Sequence, residues 1–230
     1  MANNFFNAVQ RNVSADSTLP TAVYTTPASK KSILIELDVA NKSSSGVTVT
    51  VQICDASANS SGTGNAHTAS AIATNTTGLI TTTSSAAHLL SVNDRIIFTN
   101  GTDPSFTDAA LPPSGDTALK TTGEGASGSR MYYVQSVTTS APYKFTIAES
   151  ESATTALTFD NAGSGVRFAK VHLADIVRDA PVPVGGSLKV ISGQKLVIES
   201  LHASVNDKIF VYSAAANGVD CIASVLEDVS

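Results

Sequence analysis

The sequence predicts an all-β, antiparallel fold, and three observations carry that prediction. Apolar residues recur with period 2 in short runs, turn-forming Ser, Thr, Gly, Asn and Pro gather between the runs, and no segment keeps an amphipathic 3.6-residue period over three turns. Composition agrees. Of 230 residues 42% are hydrophobic and only 14% are charged, well below the roughly 25% charge usual for soluble domains. Such a chain is not a coiled coil, a charged disordered tail or a charge-rich helical enzyme.

Taken in order, the first strong element is Ile33–Val39, where Ile33, Ile35, Leu37 and Val39 alternate with Leu34, Glu36 and Asp38. Its odd positions are expected to face a core. Val47–Ile53 repeats the pattern, and Asn41–Gly46 between them supplies turn residues, so the two runs predict a hairpin. The stretches 57–77 and 111–129 are rich in Ser, Thr, Gly and Pro without a sustained period, and they predict long irregular loops. Between and after them lie strand-like runs at 78–82, 95–99, 131–137, 144–148, 156–159 and 166–171, which set the middle apart as its own small β module. Strands are again expected at 187–191, 195–199, 208–212 and 219–226, joined by short turns. The tetrapeptide Ser-Val-Asn-Asp occurs at 91–94 and at 204–207, each time before a base and Ile, and predicts a tight turn feeding a strand.

Motifs for chemistry are weak. Gly123-Glu-Gly-Ala-Ser-Gly128 matches a dinucleotide pattern but lacks the strand before it and the helix after it that would aim amides at a pyrophosphate, so it reads as a loop. No G-x-S-x-G occurs, and His67, His88, His172 and His202 stand apart from one another. Glu124, Glu149 and Glu151 fall in expected loops. Cys54 and Cys221 sit in separate strand-like runs with no metal or redox spacing, as reduced packing residues or, alternatively, one long-range bridge. We therefore expect no catalytic residue, no cofactor and no metal.

Partners follow from charge and pattern. A net charge of −5, with no basic cluster longer than Lys30-Lys31, argues against nucleic acid, and no apolar run is long enough to span a membrane. The start lacks the basic and apolar regions of a signal peptide, so an unexported protein is expected. Phe5 and Phe6 are adjacent aromatics in a polar setting and cannot share one face of a strand, which makes them candidate anchors, docked on their own domain or on a neighbouring subunit. Tyr132, Tyr133, Tyr143 and Phe145 are expected to serve core and hairpin packing, with Tyr132 outward and Tyr133 inward. The alternative is a sugar-stacking platform, for which Tyr132 and Tyr143 are the candidates for surface recognition.

The middle of the chain resembles a β module found in structural proteins of tailed bacteriophages. The residues that carry this are Thr82-Thr83, His88-Leu89-Leu90, Asn93 to Thr99, Pro113-Ser114-Gly115, Tyr132-Tyr133-Val134, Lys144 to Ile147 and Asn161 to Gly165. Leu89 and Asn93 stand where that pattern has Gly, which implies opened turns, and the stretch before Arg130 is longer than usual. The flanks resemble a small phage protein of unassigned role through Val39-Ala-Asn41, Asp179 to Leu188, Lys195 to Glu199 and Val219 to Glu227.

The resemblance implies an antiparallel β-sandwich host domain, 1–57 plus 169–230, which attaches to the particle, and an inserted sandwich- or barrel-like β module, 58–168, exposed on its surface. It implies a non-enzymatic structural component of a tailed-phage virion, assembled in the host cytoplasm, as an accessory of the tail, neck or baseplate. The alternatives are capsid (head) decoration or a host-glycan-binding adhesion module. Other virion proteins and copies of itself are the expected partners, with host-surface glycan as a further candidate.

Overall fold

The computed structural model describes residues 4–55, 66–74, 77–82, 90–99, 113–114, 117–118, 130–159, 162, 166–202 and 205–228. The chain divides into two compact units, a flanking unit of Met1–Ser60 with His172–Ser230 and a central unit of Ser61–Val171. The return point lies three residues beyond the expected 168, because the last central strand runs on to Val171. Among the described residues every ladder between strands is antiparallel.

The first segment supplies β1 (Asn4–Gln10), β2 (Thr21–Thr25), β3 (Lys31–Asn41) and β4 (Val47–Cys54). The central unit holds β5 (Ala66–Ile72), β6 (Ile80–Thr82), β7 (Arg95–Thr99), β8 (Pro113–Ser114), β9 (Thr117–Ala118), β10 (Tyr132–Val137), β11 (Lys144–Ala148) and β12 (Arg167–Val171). The last segment adds β13 (Leu173–Val182), β14 (Ser187–Ile191), β15 (Leu196–His202), β16 (Val205–Asn206), β17 (Lys208–Ser213) and β18 (Val219–Glu227).

Two sheets make the flanking unit. One runs β1-β18-β3-β15-β16, with β14 also on β3, and the other runs β13-β4-β17-β2. β3 organises the first sheet: β18 takes one edge, while β15 and β14 share the other, opposite Lys31–Leu34 and Leu37–Ala40 respectively. Both sheets feed one core, with Leu34, Leu37, Val39, Cys221, Ala223 and Val225 from the first and Val49, Val51, Ile209 and Val211 from the second.

Two expectations are corrected here. β3 and β4 are strands but not a hairpin, since they belong to different sheets and residues 42–46 carry the chain across. Alternation tells which face of a strand is buried, not which strand lies beside it. Strict period 2 in β3 also fails. The register with β18 slips between Ser224 and Val225, so Glu36 faces Ser224 and Leu34 faces Val225, leaving Ile35 as a bulge residue. That extra residue switches the inward set from Leu34 to Leu37 and Val39 and leaves Ile33 and Ile35 half-buried.

Asn41 secures the crossing. It is 3% exposed, and its side-chain amide donates to the carbonyl oxygens of Ser45 (2.8 Å), Val182 (3.0 Å) and Pro183 (3.1 Å) while Oδ1 accepts from the Ser43 amide (2.9 Å).

In the central unit six strands pair in the order β10-β11-β6-β5-β12-β7, and β7 returns to β10. Ladders of only two residue pairs at β10–β7 and β11–β6 make this an irregular ring rather than a regular barrel. Ile80, Ile96, Phe98, Tyr132, Val134, Phe145, Ile147, Phe159 and Phe168 fill it. β5 lies in a stretch expected to be loop, and 156–159 contributes a single bridge, Thr74 to Phe159, in place of the expected strand. Of the expected loop 111–129 only the two short strands β8 and β9, paired with each other, are described.

The turn before β7 stays closed. Asn93 takes φ +71°, the left-handed region that Asn tolerates better than most residues, and the Asp94 amide donates to the Ser91 carbonyl (3.1 Å). Gly78 is a stricter requirement. Its φ is +60°, and a Cβ there would sit 1.8 Å from the Leu157 carbonyl oxygen.

Candidate interaction surface

β1 lies along β18 in register from Asn4 opposite Glu227 to Gln10 opposite Cys221. Strand alternation splits the two aromatics. Phe6 turns inward and packs on the core of its own unit, its ring 6.1 Å from that of Tyr24. The Tyr24 hydroxyl beneath it donates to Glu227 Oε1 (2.7 Å) and shares a hydrogen bond with Ser32 Oγ (2.8 Å). Burial raises the Tyr24 pKa, and the Glu227 carboxylate adds to the rise. This cluster ties β2 of one sheet to β3 and β18 of the other. Phe5 faces away and is 60% exposed.

The face that Phe5 shares is apolar in rows across the sheet. Phe5 stands opposite Leu226, Leu226 opposite Ile33, and Ile33 opposite Val197. A second row begins with Val9 opposite Ile222 and ends in Asp38 and Lys189. Of the six large hydrophobic residues exposed among those described, Phe5, Val9, Val197 and Ile222 lie on this face. A polar row, Asn7 opposite Ser224 and Ser224 opposite Glu36, runs between these two rows, and Glu36 pairs there with Lys189. At the borders Lys42 pairs with Asp220 (2.7 Å) and Lys30 with Asp228 (2.8 Å). The Lys42 ammonium and the Asn12 amide hold the Asp220 carboxyl below its usual pKa.

The tyrosine platform is corrected. Tyr132 is 1% exposed and packs edge-on against Phe98 with ring centroids 5.9 Å apart. Tyr133 is buried as well, because Arg95 covers it: the guanidinium carbon lies 4.6 Å from the ring centroid, and Nη2 donates to the Tyr133 hydroxyl (2.6 Å). Alternation sends the two rings to opposite sides of β10, and both sides are covered. Tyr143 alone is half-exposed, so the two expected rings do not form an open platform.

The other candidates do not converge. His67 stacks on Phe168 at 5.5 Å, and burial, with help from Arg167, lowers its pKa. His172 is half-buried, while His88 and the side chain of His202 lie outside the described residues, as does Glu124. Glu149 and Glu151 are exposed in a turn. No group of three or more His, Cys, Asp or Glu that could hold a metal occurs among the described residues. Cys54 and Cys221 are free and buried.

Val9, Val197 and Ile222 were not singled out by the sequence. The available signal was a strand apolar on both faces, as in Cys221-Ile222-Ala223, which by pattern alone reads as fully buried. No known protein family, no curated protein and no solved structure matches this chain.

Proposed function

We propose that this chain is a non-enzymatic structural component of a tailed-phage virion, an accessory of the tail, neck or baseplate. In this reading the flanking unit is a two-sheet β-sandwich that attaches to the particle, and the central unit is an insertion displayed from it. Other virion proteins and further copies of the chain are its partners, and the virion is its location.

The observation that carries the reading is the collinear set of phage-like motifs in the central unit. Their residues supply β7, β10 and β11, and Ile96, Phe98, Tyr132, Val134, Phe145 and Ile147 from those strands belong to its core. The motif thus coincides with the residues that build the module, not with a scattered surface likeness. Low charge and an apolar sheet face also suit a protein covered in part by neighbours. The attachment half has a guarded edge: β13 ends its sheet and carries Pro181 and two register shifts, both of which discourage free pairing.

The test is mass spectrometry of particles purified by density gradient, with heads and tails separated. The chain is expected at fixed stoichiometry in the tail fraction. Recovery in the head fraction alone would move it to capsid decoration, and presence in infected cells but never in particles would overturn the proposal.

A further inference from the structure

β1 ends its sheet, and among the described residues its outer edge pairs with no strand. A free strand edge is a row of unpaired backbone donors and acceptors, and proteins ordinarily guard it with charge, proline, bulges or shortness. The other sheet edges of the flanking unit are guarded: β13 by Pro181 and its bulges, β14 by five residues of length, a register shift and the charge of Lys189, β2 by five residues of length, β16 by two. β1 has seven residues, an unbroken register with β18, and neither a charge nor a proline.

Its sequence is also symmetric in kind. Asn4-Phe5-Phe6-Asn7-Ala8-Val9-Gln10 reads polar, apolar, apolar, polar, apolar, apolar, polar about Asn7. We infer that β1 is a self-pairing edge at which a second copy of this chain adds its own β1 antiparallel, about a two-fold axis at Asn7. That register sets Asn4 opposite Gln10 of the second copy, Phe5 opposite Val9, Phe6 opposite Ala8 and Asn7 opposite Asn7. Each large aromatic meets a smaller apolar side chain, and polar residues meet polar ones. Because directly opposed residues share a face, the apolar row Val197–Ile33–Leu226–Phe5 continues into Val9 and Ile222 of the second copy. An isologous contact of this kind closes at two chains and does not propagate. The inference does not rest on the virion reading, since it concerns the purified chain.

Light scattering and sedimentation of the full chain over a wide concentration range supply the first measurement, with a dimer expected. Phe5→Lys/Val9→Lys and Phe5→Glu/Val9→Glu each place like charges opposite one another in the proposed register and are expected to weaken the dimer at least about tenfold. Mixed together, the two variants restore pairing as a heterodimer, because position 5 of one faces position 9 of the other. Asn7→Cys is expected to form a disulfide-linked dimer under mild oxidation, as opposed Cα atoms about 5 Å apart allow. Phe5→Cys is not, because its own counterpart lies four residues away, about 13 Å. A monomer at every concentration, a dimer indifferent to both charge variants, or equal crosslinking at 5 and 7 would overturn the inference. Should the charge variants fail to fold, the cysteine pair decides it alone.

Discussion

The Asp55 amide donates to the carbonyl oxygen of His172 at 2.9 Å, one step beyond the rung that sets Cys54 opposite Leu173. The chain therefore leaves the flanking unit and re-enters it across a single hydrogen bond, although 116 residues lie between Asp55 and His172 (172 − 55 − 1). Joining ends that already lie side by side costs little, because closure entropy grows only slowly with the length between them.

Excision tests that relationship. Replacing residues 57–170 with a short Gly/Ser turn is expected to leave a remnant with a β-type circular dichroism spectrum and one cooperative melt. An unfolded remnant would mean that the flanking unit requires the central one.

Asn41→Ala removes the donors that serve three carbonyls around the crossing between the sheets. The expected loss is about 2–4 kcal/mol in denaturant unfolding of the excised flanking unit, from lost bonds and stranded buried acceptors. Asn41→Asp is expected to be worse. It keeps the acceptor for Ser43 but turns an oxygen toward oxygens.

Gly78→Ala places a methyl group against the Leu157 carbonyl at a positive φ. A loss of at least about 1 kcal/mol is expected in the central unit's transition. Calorimetry of the full chain should show the flanking unit's transition unmoved.

Burial pushes the Cys54 and Cys221 thiols up from 9.0 to about 12, with nearby Asp207 and Asp55 adding at Cys54 and Asp220 at Cys221. The unfolded thiols ionise near pH 9 while the folded ones hold their protons. Their contribution is thus complete below pH 9 and is lost as pH rises toward 12, at about 1.4 kcal/mol per pH unit for each thiol. Lys208, whose pKa burial lowers, works in the opposite direction. The measurement is therefore a comparison: Cys54→Ala/Cys221→Ala should have a shallower alkaline decline than the parent chain. A thiol reagent should label the parent only as fast as it unfolds.

Much of the fold was legible in the residues. The runs at 33–39, 47–53, 187–191, 208–212 and 219–226 all lie within strands, and the Asn93-Asp94 turn feeds β7 as its residue types imply. β1, β2, β5 and β13 were not legible. β1 and β13 are edges, so one side of each lacks a neighbour to select its residues, and Ala66–Ile72 is built of small and polar residues that pattern like a loop. Of the candidate site residues, the opposed facing of Phe5 and Phe6 followed from adjacency alone. The outward placement of Tyr132 failed because its side of β10 is the one that packs into the core against Phe98, while Tyr133 takes the far side, which Arg95 covers. Both covering residues come from β7, separated from β10 by a long stretch of chain.

By itself the sequence determined the class of the protein: alternation made strands, turn residues ended them, and sparse charge excluded long solvated helices. Tertiary structure decided which strands became neighbours. It sent β3 and β4 to opposite sheets, gave β18 its partners β3 and β1 from the other end of the chain, and used one bulge at Ile35 to change which residues of β3 face the core. The reason is physical. Side-chain period is a local property of the extended backbone, whereas pairing depends on hydrogen-bonding edges that are alike in every strand and are assigned only when distant apolar faces close over a common core.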